Sequence, residues 1–110
     1  VVNSAAKGKR AERELVGLLA DLTGWPVRRR LQEGRQDDAG DLEGLPDCCA
    51  QVKDWAEPLE AESQALRELP DQLAASGCTF GVAFIRHRGG RWVAAMTPDM
   101  FCALLREATS

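Results

Sequence analysis

The chain has 110 residues, of which 45% are hydrophobic and 28% charged, with a formal net charge of −3. That length supports one core and one domain, since a chain of this size buries somewhat over ~60% of its unfolded surface, and the composition is too apolar for a disordered chain. No apolar run approaches the ~18 residues that a membrane span requires, and the start lacks the hydrophobic core of a secretion signal, so a cytoplasmic protein without membrane contact is expected.

Asn3 or Ser4 can cap a first helix over residues 5–22, with Ala11, Leu15, Leu18, Leu19 and Leu22 on one apolar stripe and Gly24 and Pro26 ending it. At ~100° per residue, Glu12 and Glu14 fall on opposite shoulders of that stripe, while Lys9 and Arg13 face away from the core. Periodicity does not choose between the two glutamates. Residues 25–31 read as a strand in which Val27 alternates with Arg28, Arg29 and Arg30. Residues 32–40, with two glycines and four charged groups, read as a loop. Two short strands follow, residues 41–45 and 48–53, joined by a turn at Pro46 and Asp47.

Residues 57–75 carry Leu59, Leu66, Leu69 and Leu73 at near-helical spacing, with Pro58 tolerated in the first turn and Pro70 expected to kink or break the helix. Residues 79–85 and 91–96 form the last strand pair around a Gly89-Gly90 turn. Thr97 caps a final helix with Pro98 at its first position and Phe101, Leu104 and Leu105 on one face. The element order is α-β-β-β-α-β-β-α, an α/β fold with a mixed central sheet flanked by helices. The acidic stretch of residues 54–71 is expected to be the solvated face of the second helix.

Charge divides unevenly along the chain. Residues 1–35 carry a net +4, residues 36–71 a net −9 and residues 72–110 a net +2. Basic groups cluster at Lys7, Lys9, Arg10 and Arg13, at Arg28 to Arg30, and at Arg86, Arg88 and Arg91. If these clusters meet in space they offer a surface to a phosphate backbone. The four cysteines, Cys48, Cys49, Cys78 and Cys102, have neither zinc-site spacing nor a secreted disulfide pattern, so reduced and mostly buried thiols are expected. His87 is the only histidine, which disfavours histidine-metal chemistry. Trp55 could stack on a base or line a subunit contact but reads more simply as core or rim packing, and Trp92 reads as a strand residue in the core.

Hydrolysis of a phosphodiester requires a metal that polarises a phosphoryl oxygen and acidifies a water, together with a group that orients that water. Side chains alternate along a strand, so Gln51 and Lys53 point together while Val52 enters the core. Asp41, on the preceding strand, can be brought opposite them. Its carboxylate would anchor magnesium, with the Gln51 amide oxygen, the Val52 carbonyl and waters completing the shell, and a carboxylate of the first helix adding to it. Lys53 would orient or deprotonate the attacking water and offset charge developing on the phosphate.

The arrangement resembles the PD-(D/E)XK nuclease superfamily, and within it the archaeal-type Holliday-junction resolvases and related phage nucleases. The run K-G-K-R-A-E-R-E-L over residues 7–15 looks like the start of those resolvases, and the resemblance assigns the functional glutamate to Glu12. Trp25, Val27 and Arg29 match the family's aromatic-x-V-x-R strand, which implies that Arg29, with Arg28 and Arg30 beside it, contacts DNA. Asp37, Gly40 and Asp41 match the D-x-x-G-D loop, with Asp41 as the metal-binding aspartate. The motifs lie within residues 7–53.

One departure is plain: the family usually has an acid where this chain has Gln51, although some branches, resembling the Mrr-type restriction enzymes, use Q-x-K. A neutral amide ligand should weaken metal binding, so Gln51→Glu is expected to tighten it. The resemblance implies a restriction-endonuclease-like fold and a magnesium-dependent endonuclease, with manganese able to substitute. Its metal ligands would be Glu12, Asp41, Gln51 and Val52, its catalytic set Glu12, Asp41, Gln51 and Lys53, and its DNA contacts Lys7, Lys9, Arg10, Arg13 and Arg28 to Arg30. It also implies branched DNA as substrate and a homodimer, with Phe84, Trp92 and Phe101 as candidates for the shared face. Two alternatives stand beside this reading: a restriction- or phage-type nuclease acting on other DNA, and a binding module that keeps the fold without the chemistry.

Overall fold

The computed structural model describes residues 4–31 and 39–110 of the chain. The segment before Ala39 that would supply Asp37, the first acid of the D-x-x-G-D match, lies outside the described residues, as does the capping position Asn3. The elements are α1 (Ser4–Thr23), β1 (Arg28–Arg29), β2 (Leu42–Glu43), β3 (Cys48–Lys53), α2 (Pro58–Ser76), β4 (Phe80–Arg86), a 3-10 turn (Arg88–Gly90), β5 (Trp92–Ala95) and α3 (Pro98–Ala108). The fold is α/β, with three helices and one five-stranded mixed sheet in the order β1-β2-β3-β4-β5. Only β3 and β4 run parallel, because only they are joined by a crossover helix, α2; the other neighbours pair antiparallel. Among the described residues, no helix is long and apolar enough to cross a membrane.

The two faces of the sheet carry separate cores. On one, Ala11, Leu15 and Leu19 of α1 meet Leu42, Ala50, Val52 and Val82; on the other, Ala61 and Ala65 of α2 meet Ala83, Ile85 and Ala95. The alternation along β3 accounts for this division, with Ala50 and Val52 turned to α1 and Cys49, Gln51 and Lys53 turned to α2. Alanines at 61 and 65 let the α2 backbone approach the sheet closely. Every residue of β3 from Cys49 to Val52 is buried, as a central strand covered on both sides requires.

Four expectations need correction. The strand over residues 25–31 is reduced to Arg28–Arg29, because Pro26 has no N–H to pair and the Val27 N–H donates locally to the Trp25 carbonyl. Helix α2 runs through Pro70 without a break. Pro70 is on the exposed side, and burial of Ala61, Ala65, Leu69 and Gln72 against the sheet holds the helix together across the missing bond. The α1 stripe is only partly covered, with Leu18 39% and Leu22 72% exposed, since two-residue strands β1 and β2 offer little sheet beneath the helix's last turns. Of the four free thiols only Cys49 is buried; Cys48 and Cys78 are half-buried and Cys102 is exposed.

The final helix forms as its cap dictates, the Thr97 side chain accepting from the Met100 N–H, yet its apolar face stays open. Phe101, Leu104 and Leu105 are all exposed, whereas Phe84 and Trp92 are half-buried against the α1 core.

Candidate metal centre and its basic margins

Asp41 is held in place by backbone. It sits just before β2, whose Leu42 pairs with Ala50; its N–H donates to the Ala50 carbonyl at 2.8 Å, and its Oδ2 accepts from the Val52 N–H at 2.8 Å. Gly40 makes this possible. Its φ is +97°, a region that favours glycine, and an added Cβ would sit 2.8 Å from the Cys49 sulfur and 3.1 Å from the Ala50 oxygen. Asp41 therefore enters β2 along one fixed path.

Asp41, Val52, Lys53, Glu12 and Lys7 line one cleft of about 560 Å³, with Trp55 at its side. Three distant segments thus converge: α1 brings Glu12 and Lys7, the start of β2 brings Asp41, and the end of β3 brings Lys53. Glu14, which periodicity could not separate from Glu12, is turned elsewhere. It accepts from Arg86 Nε at 2.6 Å, and that hydrogen bond holds its carboxyl below the usual glutamate range. Geometry alone thus separates the two shoulders of α1.

Gln51 does not line the cleft; it is buried, 2% exposed, with its Nε2 donating to Glu68 Oε1 at 2.7 Å. Its own Oε1 is buried and has no hydrogen-bond partner among the described residues. An orphaned buried oxygen costs about 1–3 kcal/mol unless something satisfies it, and a hard cation is one such partner. Lys53 Nζ lies 3.1 Å from the same Glu68 oxygen and 5.2 Å from the centre of the Trp55 ring. Gln51 and Lys53 point to one side, as β3 alternation requires.

Glu68 is the residue that sequence reasoning missed. It belongs to the acidic stretch expected to be a solvated face, a reading that fails for it and for Asp54, which lines the cleft 3.8 Å from Lys7 Nζ. A signal was present: position 68 follows 61 and 65 at spacings of four and three and lies next to Leu69, so Glu68 borders the buried stripe of α2.

The basic groups are arranged in three ways. Lys9, Arg10 and Arg13 are exposed along α1. Arg28 pairs with Glu43, and Arg29 Nε donates to Glu12 Oε1 at 2.8 Å, so Arg29 is tied to the cleft's own carboxylate. Arg30 is half-buried. The three clusters do adjoin: Arg10 and Arg86 share a neighbouring cavity with Lys7, and Arg88 shares another with Lys7, while Arg29 joins through Glu12.

Among the described residues, no group of three or more His, Cys, Asp or Glu side chains is arranged to hold a metal ion. A magnesium site does not demand three acids, because the ion keeps several waters and is held by one or two carboxylates. Glu12 and Asp41, in one cleft with Val52, fit that donor chemistry, and among the described residues the cleft lacks the histidine and cysteine ligands on which zinc sites are built. The chain matches no family model, no curated relative and no solved structure, so a functional reading rests on the site itself.

Proposed function

We propose that the chain is a metal-dependent DNA endonuclease with a restriction-endonuclease-like fold of the PD-(D/E)XK type, acting most readily on four-way junctions. The observation that carries this reading is the convergence of Glu12, Asp41 and Lys53, from three separate segments, on one cleft that Arg10, Arg86 and Arg88 adjoin. Magnesium, replaceable by manganese, would be held by Glu12 and Asp41 with the Gln51 amide oxygen and Val52 carbonyl completing the protein ligands. When bound, it would supply the polarised phosphoryl oxygen and the acidified water.

The chain's own groups do the rest. Lys53, which lines the same cleft as Asp41 and lies 5.2 Å from the centre of the Trp55 ring, would orient the water for in-line attack on phosphorus as the bridging P–O bond breaks and the leaving sugar oxygen takes a proton from solvent, and its charge would offset that gained by the phosphate. Lys7, Lys9, Arg10 and Arg13, with Arg28 to Arg30, hold the backbone on either side. Arg29 in this role also keeps Glu12 turned to the cleft. A junction has two equivalent strands to cut, which calls for a two-fold pair of sites. The open apolar face of α3, where Phe101 is 54% and Leu105 51% exposed, supports a homodimer.

A second reading has a specific observation behind it. Gln51 is committed to Glu68, and among the described residues the acids of the cleft are not grouped as a three-ligand metal set, as in a nucleic-acid-binding module that has lost its chemistry. The test is incubation of labelled junction, linear duplex and flap DNA with magnesium, with manganese and with chelator. Metal-dependent cleavage favouring the junction is the expected result; cleavage favouring duplex or flap selects a restriction- or phage-type nuclease. Binding without cleavage under every condition selects the module.

A further inference from the structure

The pairing of Gln51 with Glu68 is not explained by the fold alone. A glutamine with one buried oxygen left over is a poor way to fill a core, and the acceptor it meets is a carboxylate that also holds Lys53. An ionised carboxylate can only accept hydrogen bonds, so the Gln51 amide must turn its NH2 toward Glu68 and its oxygen away. Without that acceptor either end of the amide could face either way.

We propose that Glu68 is a positioning residue of this site. Its Oε1 fixes Gln51 so that oxygen, the end able to bind a cation, is the end left buried without a hydrogen-bond partner among the described residues, and the same atom holds the Lys53 ammonium beside the cleft. The inference rests on the metal-dependent reading above. It also gives a reason for the amide at position 51: a carboxylate there would stand 2.7 Å from that of Glu68, whereas an amide donates to it. The negative charge that the strand lacks is carried on α2 instead. A group that orients a metal ligand through a hydrogen bond is typically worth about 10- to 100-fold in metal affinity or activity.

The test uses the full chain and two variants, Glu68→Leu, which removes the acceptor, and Glu68→Gln, which keeps an acceptor oxygen but not the charge. Binding of Mn2+ is followed directly by electron paramagnetic resonance, and kcat and KM are measured on junction DNA. Glu68→Leu is expected to weaken Mn2+ binding by about 10-fold or more and to lower kcat with KM for DNA little changed. Glu68→Gln is expected to weaken Mn2+ binding less than Glu68→Leu does, because its amide can offer Gln51 either an oxygen or an NH2, while kcat falls about 10-fold as Lys53 loses its charged partner. A merely structural role would lower the melting temperature and leave Mn2+ affinity and kcat of the folded protein as they were.

If wild type binds Mn2+ and cleaves, and Glu68→Leu does both equally well, the positioning role is overturned and the nuclease reading stands. Should Glu68→Leu fail to fold, an unchanged kcat in Glu68→Gln overturns it as well. A wild type that neither binds Mn2+ nor cleaves removes the underlying reading and this inference with it.

Discussion

Replacing Lys53 by alanine separates chemistry from folding, because the structure bounds what the lysine contributes to each. For stability, it makes one ion pair, with Glu68, whose side chain is 38% exposed, and one cation–ring contact with Trp55 at 5.2 Å. Discounted for solvent screening, the pair is worth about 0.5 kcal/mol and the ring contact about as much again. A loss of about 1 kcal/mol lowers the Tm by roughly 4 °C and leaves the chain folded at 25 °C. For chemistry, a group that moves or orients the reacting proton contributes about 10²- to 10⁴-fold, which is about 3–5 kcal/mol of barrier. The two effects therefore differ several-fold in energy. The assay is single-turnover cleavage of labelled junction DNA with magnesium, beside thermal melting and DNA binding in chelator. The expected outcome is a rate at least ~100-fold lower, a small drop in Tm, and binding within about threefold of wild type. A Lys53→Ala rate within ~10-fold of wild type would refute the placement of Lys53 at the reacting centre.

Other outcomes follow from the same geometry. Gln51→Glu, which sequence alone expects simply to tighten magnesium binding, sets a second carboxylate against Glu68. Without metal it should melt roughly 8 °C lower at pH 8, corresponding to about 2 kcal/mol. The two acids would share a proton in acid, which raises one folded-state pKa above its unfolded value, so the deficit should vanish near pH 4 and grow as pH rises, and added Mg2+ should reverse it. A melting curve insensitive to both pH and Mg2+ would contradict the Gln51–Glu68 contact. Gly44→Ala should destabilise by about 3 kcal/mol or more in urea unfolding, since Gly44 has φ +96° and an added Cβ would lie 2.3 Å from the Pro26 oxygen. Cys48, whose thiol burial pushes up to about 12, should resist alkylation at pH 8 while exposed Cys102 reacts.

Much of the architecture was legible because it rests on local rules. Strand β3 was readable to its ends, since a run of small apolar residues between a turn and a polar segment fits a strand covered on both faces; α3 was readable from Thr97 and Pro98. Asp41, Gln51 and Lys53 could be related through strand alternation and hairpin pairing, which depend on spacing alone. What stayed hidden depends on partners remote in sequence. Pro70 does not break α2 because the sheet holds the helix, and Glu68 looks like surface acid until α2 is laid across β3. The commitment of Arg29 to Glu12 likewise needs the crossing of α1 over β1 to be seen.

In the proposed function, Asp41 anchors a divalent cation in the cleft it shares with Glu12 and Lys53. Direct titration of Mn2+ into wild type and Asp41→Asn, with circular dichroism to establish that both are folded, addresses it without DNA. A single Mn2+ site is expected on the wild-type chain, displaced by Mg2+ and weakened at least ~10-fold by Asp41→Asn. Equal Mn2+ binding by the two folded proteins, or none by the wild type, would contradict it.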